Sequence, residues 1–407
     1  MRGWDSVTQF TDQLFGHLRR ADQRKWAHTY VNGLLSTPGK KSIRRLAAVS
    51  SDSPTASQAL HQFVNESPWE WDPVCDQLRQ WVEDRARPKA WTIAPVVLPK
   101  RGEKSCGVHR RFIPHTGRTV NCQIGMAVFM STEAGEFPVG WCLFLPETWA
   151  AQGPLREQAR IPHTATASCE GQLLNLIDQM AQTSQYDPVP VVVDLDGYLD
   201  SRRLVEGLTR RGLDFAVAIP DSFPLAPLEH QASGSRRPVA AAARTVSERC
   251  PEVRSGVCRA GWASVRDGLV QVPGAVAADQ RPQPFRLFTQ PDEDATGAGQ
   301  LWLTSMVHRP VDELLEYAER HAATGETVEL LERRFGLRDF EGRSFPGWHH
   351  HMALVSAAFT YSRLAADLGM RAFRPGPGAG SDGLARPPLV PCSRWVREAS
   401  LGYPVAV

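Results

Sequence analysis

The sequence predicts a mixed α/β fold in which a helical N-terminal domain precedes a core built around one sheet. Two observations carry this prediction. The spacing of apolar residues is helical up to about residue 88 and changes at Trp91 to short runs typical of strands. Farther along, the apolar runs 189–194 and 215–219 alternate with amphipathic stretches, as expected of central strands covered by helices on both faces.

Size and composition set the limits of the fold. The chain has 407 residues, of which 42% are hydrophobic, so it can bury a large core and form two or three domains. The net charge is only +2, and the eight cysteines form no C-x-x-C pair that would indicate a zinc site. Neither an apolar signal region nor a run of membrane-spanning length is found. We therefore expect a cytoplasmic protein with reduced cysteines and no membrane partner.

The order of the predicted elements is more specific than their number. Three strands at 91–98, 120–131 and 138–145 read as an antiparallel meander. A helix at 170–182, the strand 189–194, a helix at 201–211 and the strand 215–219 follow. Three antiparallel strands followed by alternating helix and strand are the order of a ribonuclease-H-like mixed sheet, and periodicity alone does not separate it from other α/β folds.

The predicted domain organisation follows from these elements. An irregular, partly β segment, with strands at 261–272 and 301–307, interrupts the core before helices resume at 311–334 and 349–368. The predicted units are a helical domain (1–88), the first part of the core (89–220), an insertion (221–300), the second part of the core (301–370) and a tail rich in Pro and Gly (371–407).

Basic residues cluster in two segments despite the small net charge. Residues 17–46 contain eight Lys and Arg against the single acid Asp22, and among these cations we single out Arg19, Arg24, Lys40 and Arg44. Residues 100–118 are similarly basic, with Glu103 as the only acid. Clusters of this kind suit the phosphate backbone of DNA, although a solvated basic face is an equally simple interpretation.

Several short motifs occur in an order and spacing that is specific when taken together. They are Arg24-Lys25-Trp26, Tyr30 to Leu35, Lys41-Ser42, Gln62-Phe63, Ser67-Pro68-Trp69, Pro99 to Gly102, Ser105 to Val108, Gly117 to Gln123, Leu145 to Trp149, Gly336-Leu337, Glu341 to Ser344 and Gly347-Trp348-His349. Over roughly residues 10–370 the chain resembles the IS701-type transposases of the DDE superfamily, within the IS4-like group.

The resemblance implies a two-metal nuclease site, but the residues at the implied positions have changed. Such enzymes hold two divalent metals with three acids, because Mg²⁺ prefers oxygen ligands. The first acid and its neighbour correspond to Ala94 and Pro95, and the second corresponds to Asp194, or to Asp196 if the register slips.

The resemblance places the third acid on the helix that precedes Gly336-Leu337. The family pattern of Tyr, Arg, Glu and Lys on one helix face corresponds here to Ala318, His321, Gly325 and Glu332. Glu326 takes the third position only if the helix shifts by one residue. We therefore expect no metal, no other cofactor and no metal-dependent cleavage of DNA. The run His349-His350-His351 does not restore a metal site, because adjacent helical positions point in different directions.

Three functions remain open at the level of the sequence. The first is a degenerate, repurposed transposase-like protein that binds DNA without cutting it. The second is a recruited biosynthetic enzyme (a lyase, cyclase or transferase) that uses the emptied cleft on an anionic small molecule. Its anion would be held by Lys100, Arg101, His109 and Arg110, with Asp194 as base or acceptor. The third is a DNA-binding regulator, or a subunit that acts as a homodimer or with a heteromeric partner.

Overall fold

The computed structural model describes residues 6–113, 116–165, 168–195, 197–228, 240–256, 263–275, 283–291 and 299–367. The tail beyond residue 370 and the first half of a stretch rich in Ser, Arg and Ala at 233–245 therefore lie outside the described residues. No helix of the described part is both long and apolar enough to cross a bilayer.

The N-terminal part is helical, as predicted. Its helices are α1 (Val7–Phe15), α2 (Ala21–Ser36), α3 (Ile43–Ser50), α4 (Ala56–Asn65) and α5 (Asp72–Glu83). Helix α1 begins at a capping box, in which the Ser6 hydroxyl accepts from the Gln9 amide and the Gln9 side chain accepts from the Ser6 amide. Phe10, Leu14 and Leu18 are buried, which confirms the helical apolar spacing.

The predicted core sheet is present. Its strands are β1 (Ala90–Pro99), β2 (His109–Ile113), β3 (Arg118–Thr132), β4 (Gly135–Leu143), β5 (Val191–Val193) and β6 (Phe215–Ile219). The accompanying helices are α6 (Glu147–Ala150), α7 (Pro154–Gln158), α8 (Cys169–Thr183) and α9 (Ser201–Arg210).

Strand pairing confirms the ribonuclease-H-like order. Strand β3 lies antiparallel between β4 and β1, and β1 then pairs in parallel with β5, which pairs in parallel with β6. Strands β5 and β6 are buried throughout because helices cover both faces. The short strand β2, which the sequence analysis did not predict, pairs with the start of β3.

The segment between β6 and the next long helix extends the same sheet. Its elements are β7 (Pro224–Pro227), β8 (Ala241–Ala242), α10 (Ala243–Ser247), β9 (Glu252–Ser255), β10 (Ala263–Gln271), β11 (Phe285–Gln290) and β12 (Gln300–Thr304). Strand β12 runs antiparallel to β6, and β11 and β10 follow it outward. The segment is therefore more regular than the apolar pattern indicated.

Two long helices complete the fold and join the core to the N-terminal helices. They are α11 (Val311–Arg334) and α12 (Phe345–Asp367), close to the predicted 311–334 and 349–368. Helix α12 packs against α2, α4 and α5 as well as against β4. The Tyr30 hydroxyl lies 2.9 Å from Nδ1 of His351, and the His350 ring stacks on Trp69 with centroids 3.8 Å apart.

Candidate functional site

The centre of the sheet brings together the two strands that hold the first two implied acid positions. In the parallel pair of β1 and β5, Ile93 faces Val193, so the next residues in register are Ala94 and Asp194. Side chains alternate along a strand, so Ala94 lies on the same face as Thr92. That face is covered by α11, because the Thr324 hydroxyl donates to the Thr92 hydroxyl over 2.8 Å.

An imidazole from α11 lies at this place. Nε2 of His321 is 2.9 Å from the Ile93 carbonyl oxygen and 3.3 Å from the Asp194 amide nitrogen. One ring nitrogen donates to the carbonyl when protonated or accepts from the amide when not, so the tautomer decides which bond forms. The ring of Trp302 lies 5.9 Å away. His321 therefore connects α11 to the middle of β1 and to the residue that follows β5.

The sequence analysis placed His321 on the relevant helix face but gave it no role. The sequence feature that could have indicated a role for His321 is its spacing of four residues from Gly325, since residues four apart lie on one face of a helix. Helix α11 continues without interruption through Gly325. The implied position of the third acid is therefore a helical residue without a side chain.

A second carboxyl group on this face was missed entirely. Glu136 of β4 is buried, and its oxygens accept from Ser131 Oγ at 2.7 Å and from Thr92 Oγ1 at 3.2 Å. Burial raises the pKa of Glu136 to about 7. In the sequence this residue follows a turn-like stretch, which gives no indication that a buried acid is present. Because the raised pKa favours the neutral acid, this carboxyl group is a weaker ligand for a cation than an exposed carboxylate.

Two acids in the second half of α11 are paired with cations. Glu329 pairs with Arg333 at 3.2 Å, and Glu332 pairs with Arg338 at 2.7 Å. Burial raises the pKa of Glu332, with Arg338 opposing the shift. Glu326 is half-buried. The structure keeps Gly325 and Glu326 in one regular helix, and nothing in that helix marks a shift of register.

The side chains around Ala94 do not suit a pair of magnesium ions. The described residues at this place supply the carboxylate of Asp194 and the imidazole of His321, whereas Mg²⁺ requires several oxygen ligands. In the part of the chain that the structure describes, no group of three or more His, Cys, Asp or Glu is arranged to hold a metal. Asp196 lies outside the described residues.

The predicted anion-binding group at the end of β1 is not gathered around Asp194. Lys100 donates from Nζ to the Phe340 carbonyl oxygen at 2.8 Å, and burial lowers the pKa of Lys100 to about 8. His109 pairs with Cys122, which pairs with Pro99, so alternation places His109 on the face opposite Ala94. Arg101 and Arg110 are exposed.

The neighbouring Arg111, which the sequence analysis counted only as one of several cations, has the more specific position. Its Nη2 donates to the carbonyl oxygens of Gly197 and Tyr198 at 2.7 and 3.0 Å. Its guanidinium lies 5.3 Å from the Phe144 ring centroid and 5.4 Å from that of Tyr198. Arg111 therefore fixes β2 to the loop that follows Asp194.

The four cations singled out in the N-terminal helices have different environments. Arg24 donates to the Leu18 carbonyl oxygen at 2.5 Å, and Lys40 pairs with Glu341 at 3.0 Å. Arg19 and Arg44 are exposed and have no hydrogen bond or ion pair from their side chains to other described residues. Half of this set is therefore used within the fold.

The three adjacent histidines of α12 point to three different places, as predicted. Nδ1 of His349 contacts the Phe345 carbonyl oxygen at 3.0 Å, and Nε2 of His351 contacts that of Gly336 at 3.0 Å. His350 contacts the carbonyl oxygens of Val64 and Trp69, each at 2.8 Å. Burial lowers the pKa of His349 to about 3 and that of His351 to about 4. Their role is to join α12 to its neighbours.

Comparison with known proteins places these features in a family. The chain is similar to a piggyBac transposase solved as a synaptic complex with hairpin DNA, with a TM-score of 0.44 and 11% identity over 90% of this chain and 74% of that chain. No curated protein matches the sequence. The profile of the DDE superfamily endonucleases matches residues 13–269, which is more than half of the chain. The chain therefore belongs to the DDE superfamily endonuclease family.

Proposed function

We propose that this protein is a repurposed member of its superfamily that binds DNA but does not cut or join it with metal ions. The observation that carries the proposal is the position of Ala94. It lies in register with Asp194 on the adjacent parallel strand, where the resemblance to IS701-type transposases implies the first acid. DNA is proposed as the partner because endonucleases of this superfamily act on it.

Loss of this acid removes the ligand that ordinarily bridges the two ions. Two divalent cations held a few ångströms apart repel each other strongly unless carboxylates lie between them. Ala94 is 5% exposed and has no ligand atom, and Gly325 has none on α11. Asp194 alone does not compensate for the absence of both. The geometry therefore favours DNA binding without metal-dependent cleavage.

The position of His321 supports the same proposal. Its ring bonds to backbone atoms of both strands beside Asp194, so part of the volume available to a metal is taken by an imidazole. Glu136 is buried and accepts hydrogen bonds from two hydroxyl groups, and its raised pKa makes it a weaker replacement for an ionised ligand. The centre is thus organised as a packed joint of helix and sheet.

No specific contact favours the recruited small-molecule enzyme. Lys100 is bonded to Phe340, and His109 lies on the other face of the sheet from Ala94. A DNA-binding regulator or a subunit of a larger complex is compatible with binding without cleavage, and the choice between these two needs a partner experiment.

The test is incubation of the purified protein with supercoiled plasmid and Mg²⁺ or Mn²⁺. We expect no nicking above the level of a metal-free control, and retardation of DNA fragments at low salt. Specific nicking that disappears in Asp194→Ala would overturn the proposal. As a matched control, the triple substitution Ala94→Asp, Gly325→Glu and His321→Ala restores carboxylates at the implied positions. Addition of Mn²⁺ should raise the Tm of this variant and leave the Tm of the wild type unchanged.

A further inference from the structure

The second basic segment forms a two-stranded ribbon at the edge of the sheet. Strand β2 pairs with residues 118–122 of β3, and we call these two stretches the β2–β3 ribbon. The ribbon begins where β1 ends, since Pro99 pairs with Cys122. At about 3.3 Å per residue, Pro99 lies roughly 17 Å along the strand from Ala94. The ribbon thus projects beyond the edge of the sheet at which Asp194 follows β5.

Four cations of this ribbon and of the turn that precedes it have no side-chain partner among the described residues, whereas Arg111 is bonded to Gly197 and Tyr198. The side chains of Arg101, Lys104, Arg110 and Arg118 are exposed and make no hydrogen bond or ion pair with other described residues. Glu103 is the only acidic residue between 100 and 119. Four cations against one anion give a surface complementary to phosphate.

An aromatic side chain is exposed among these charges. Phe112 is 57% exposed, the largest value among the large exposed apolar side chains of the described part. Because side chains alternate along β2, Phe112 lies on the same face as Arg110. Strand β2 is fixed by Arg111, which donates to Gly197 and Tyr198. The ring is therefore presented on an anchored strand beside cations.

We propose that the β2–β3 ribbon contacts unpaired DNA, with Phe112 stacking on a base and the flanking cations holding phosphates. Grooves that bind single strands combine these two features, since every base has a π-face and every nucleotide a phosphate. A docking protein would require a wider apolar patch than one ring. This inference rests on the proposed function, because it assumes that the chain binds DNA.

The test measures the affinity of the full-length protein for three fluorescein-labelled DNAs by anisotropy at low salt. The probes are a 20-base oligo(dT), a 20-bp duplex, and the same duplex with four unpaired bases at its centre. Stacking of one base predicts that Phe112→Ala weakens binding to the single strand and the bulged duplex at least fivefold, and to the plain duplex less than threefold. Phe112→Trp should stay within threefold of the wild type.

Matched variants separate stacking from other effects. Phe112→Leu keeps an apolar side chain without a π-face and should behave like Phe112→Ala, while Val49→Ala removes an exposed apolar group from α3 and should change nothing. Tm values near that of the wild type exclude unfolding, as expected for an exposed side chain. If wild type and Phe112→Ala bind equally well, or if Phe112→Ala loses affinity equally for all three probes, the stacking role of Phe112 is wrong and the proposed function still stands. Failure of the wild type to bind any DNA would overturn the proposed function as well.

Discussion

The two basic segments look alike in the sequence but differ in what their cations do. In residues 17–46, Arg24 donates to the Leu18 carbonyl oxygen in the turn between α1 and α2, and Lys40 pairs with Glu341. Lys41 donates to the carbonyl oxygens of Leu34 and Thr37. In residues 100–118, four cations reach solvent without a partner among the described residues. A cluster of cations in a sequence therefore indicates an anion-binding surface only when the fold leaves the charges unpaired.

The first segment uses its charges at the junction between the N-terminal helices and the core. The Lys41 amide donates to Asp339 Oδ2 at 2.7 Å, and Gly336 has a φ of 72°. A Cβ on Gly336 would lie 2.6 Å or less from Lys41 carbons, so only glycine permits this approach. Two motifs that carry the family resemblance, Lys41-Ser42 and Gly336-Leu337, thus meet as a structural joint.

The largest expected effect concerns the joint between the N-terminal helices and the core, and it is a change in how stability depends on pH when His351 is replaced. Burial lowers the pKa of His351 to about 4, from 6.5 in the unfolded chain. Between pH 6.5 and pH 4 the imidazole of His351 is protonated in the unfolded state but stays neutral in the folded state. The free energy of unfolding therefore decreases as the pH falls from 6.5 toward 4. The advantage of wild type over His351→Gln should shrink by about 1.4 kcal/mol per pH unit, or about 3 kcal/mol in all.

Urea unfolding at pH 7, 6 and 5 measures this difference. His109→Gln on the β2–β3 ribbon is the comparison variant: burial lowers the pKa of His109 and the hydrogen bond with the Gly107 carbonyl oxygen opposes this shift, and because the side chain is only half-buried we expect a smaller dependence on pH. Parallel pH profiles for wild type and His351→Gln would contradict the assignment of a neutral, buried imidazole to the joint.

A smaller effect should separate two lysines, one from each segment. Lys41→Met removes the donor to two carbonyl oxygens and should lower the free energy of unfolding by about 1–3 kcal/mol. Lys104→Met changes an exposed side chain that has no partner among the described residues, so the free energy of unfolding should stay within about 0.5 kcal/mol of the wild-type value. Denaturant titration of both variants measures the contrast, and equal losses would refute the distinction between the segments.

The smallest effect concerns the salt dependence of DNA binding by the N-terminal helices. The double substitution of Arg19 and Arg44 by Ala should reduce the slope of log K against log salt by at most about 1.8, at about 0.9 per phosphate contact. The matched double substitution of Arg24 and Lys40 should leave the slope unchanged, because both side chains have partners in the fold. Anisotropy titrations between 50 and 200 mM salt measure the slope for both double variants. A larger reduction of the slope in the Arg24 and Lys40 variant would contradict this expectation, because it would mean that these side chains leave their partners in the fold to contact phosphate.

The sequence by itself determined the elements whose apolar pattern is strong and local. The meander of β1, β3 and β4, the buried runs of β5 and β6, and helix α11 all follow from periodicity, because burial on a known face dictates which residues must be apolar. The assignment of Ala94 to the position of the first acid came from the family resemblance and not from periodicity, and the pairing of β1 with β5 places Ala94 beside Asp194. Strand β2 was missed because adjacent arginines obscure its short alternation.

Only the tertiary structure decided which side chains meet. His321 reaches Ile93 across 228 positions, Lys40 reaches Glu341 across 301, and Glu136 is buried against Thr92 across 44. Hydrogen bonds and ion pairs depend on distances of a few ångströms between residues that are remote in sequence, and no local pattern encodes such distances. The exposure of Phe112 among unpaired cations belongs to the same class, because a lone aromatic in a strand ordinarily predicts burial.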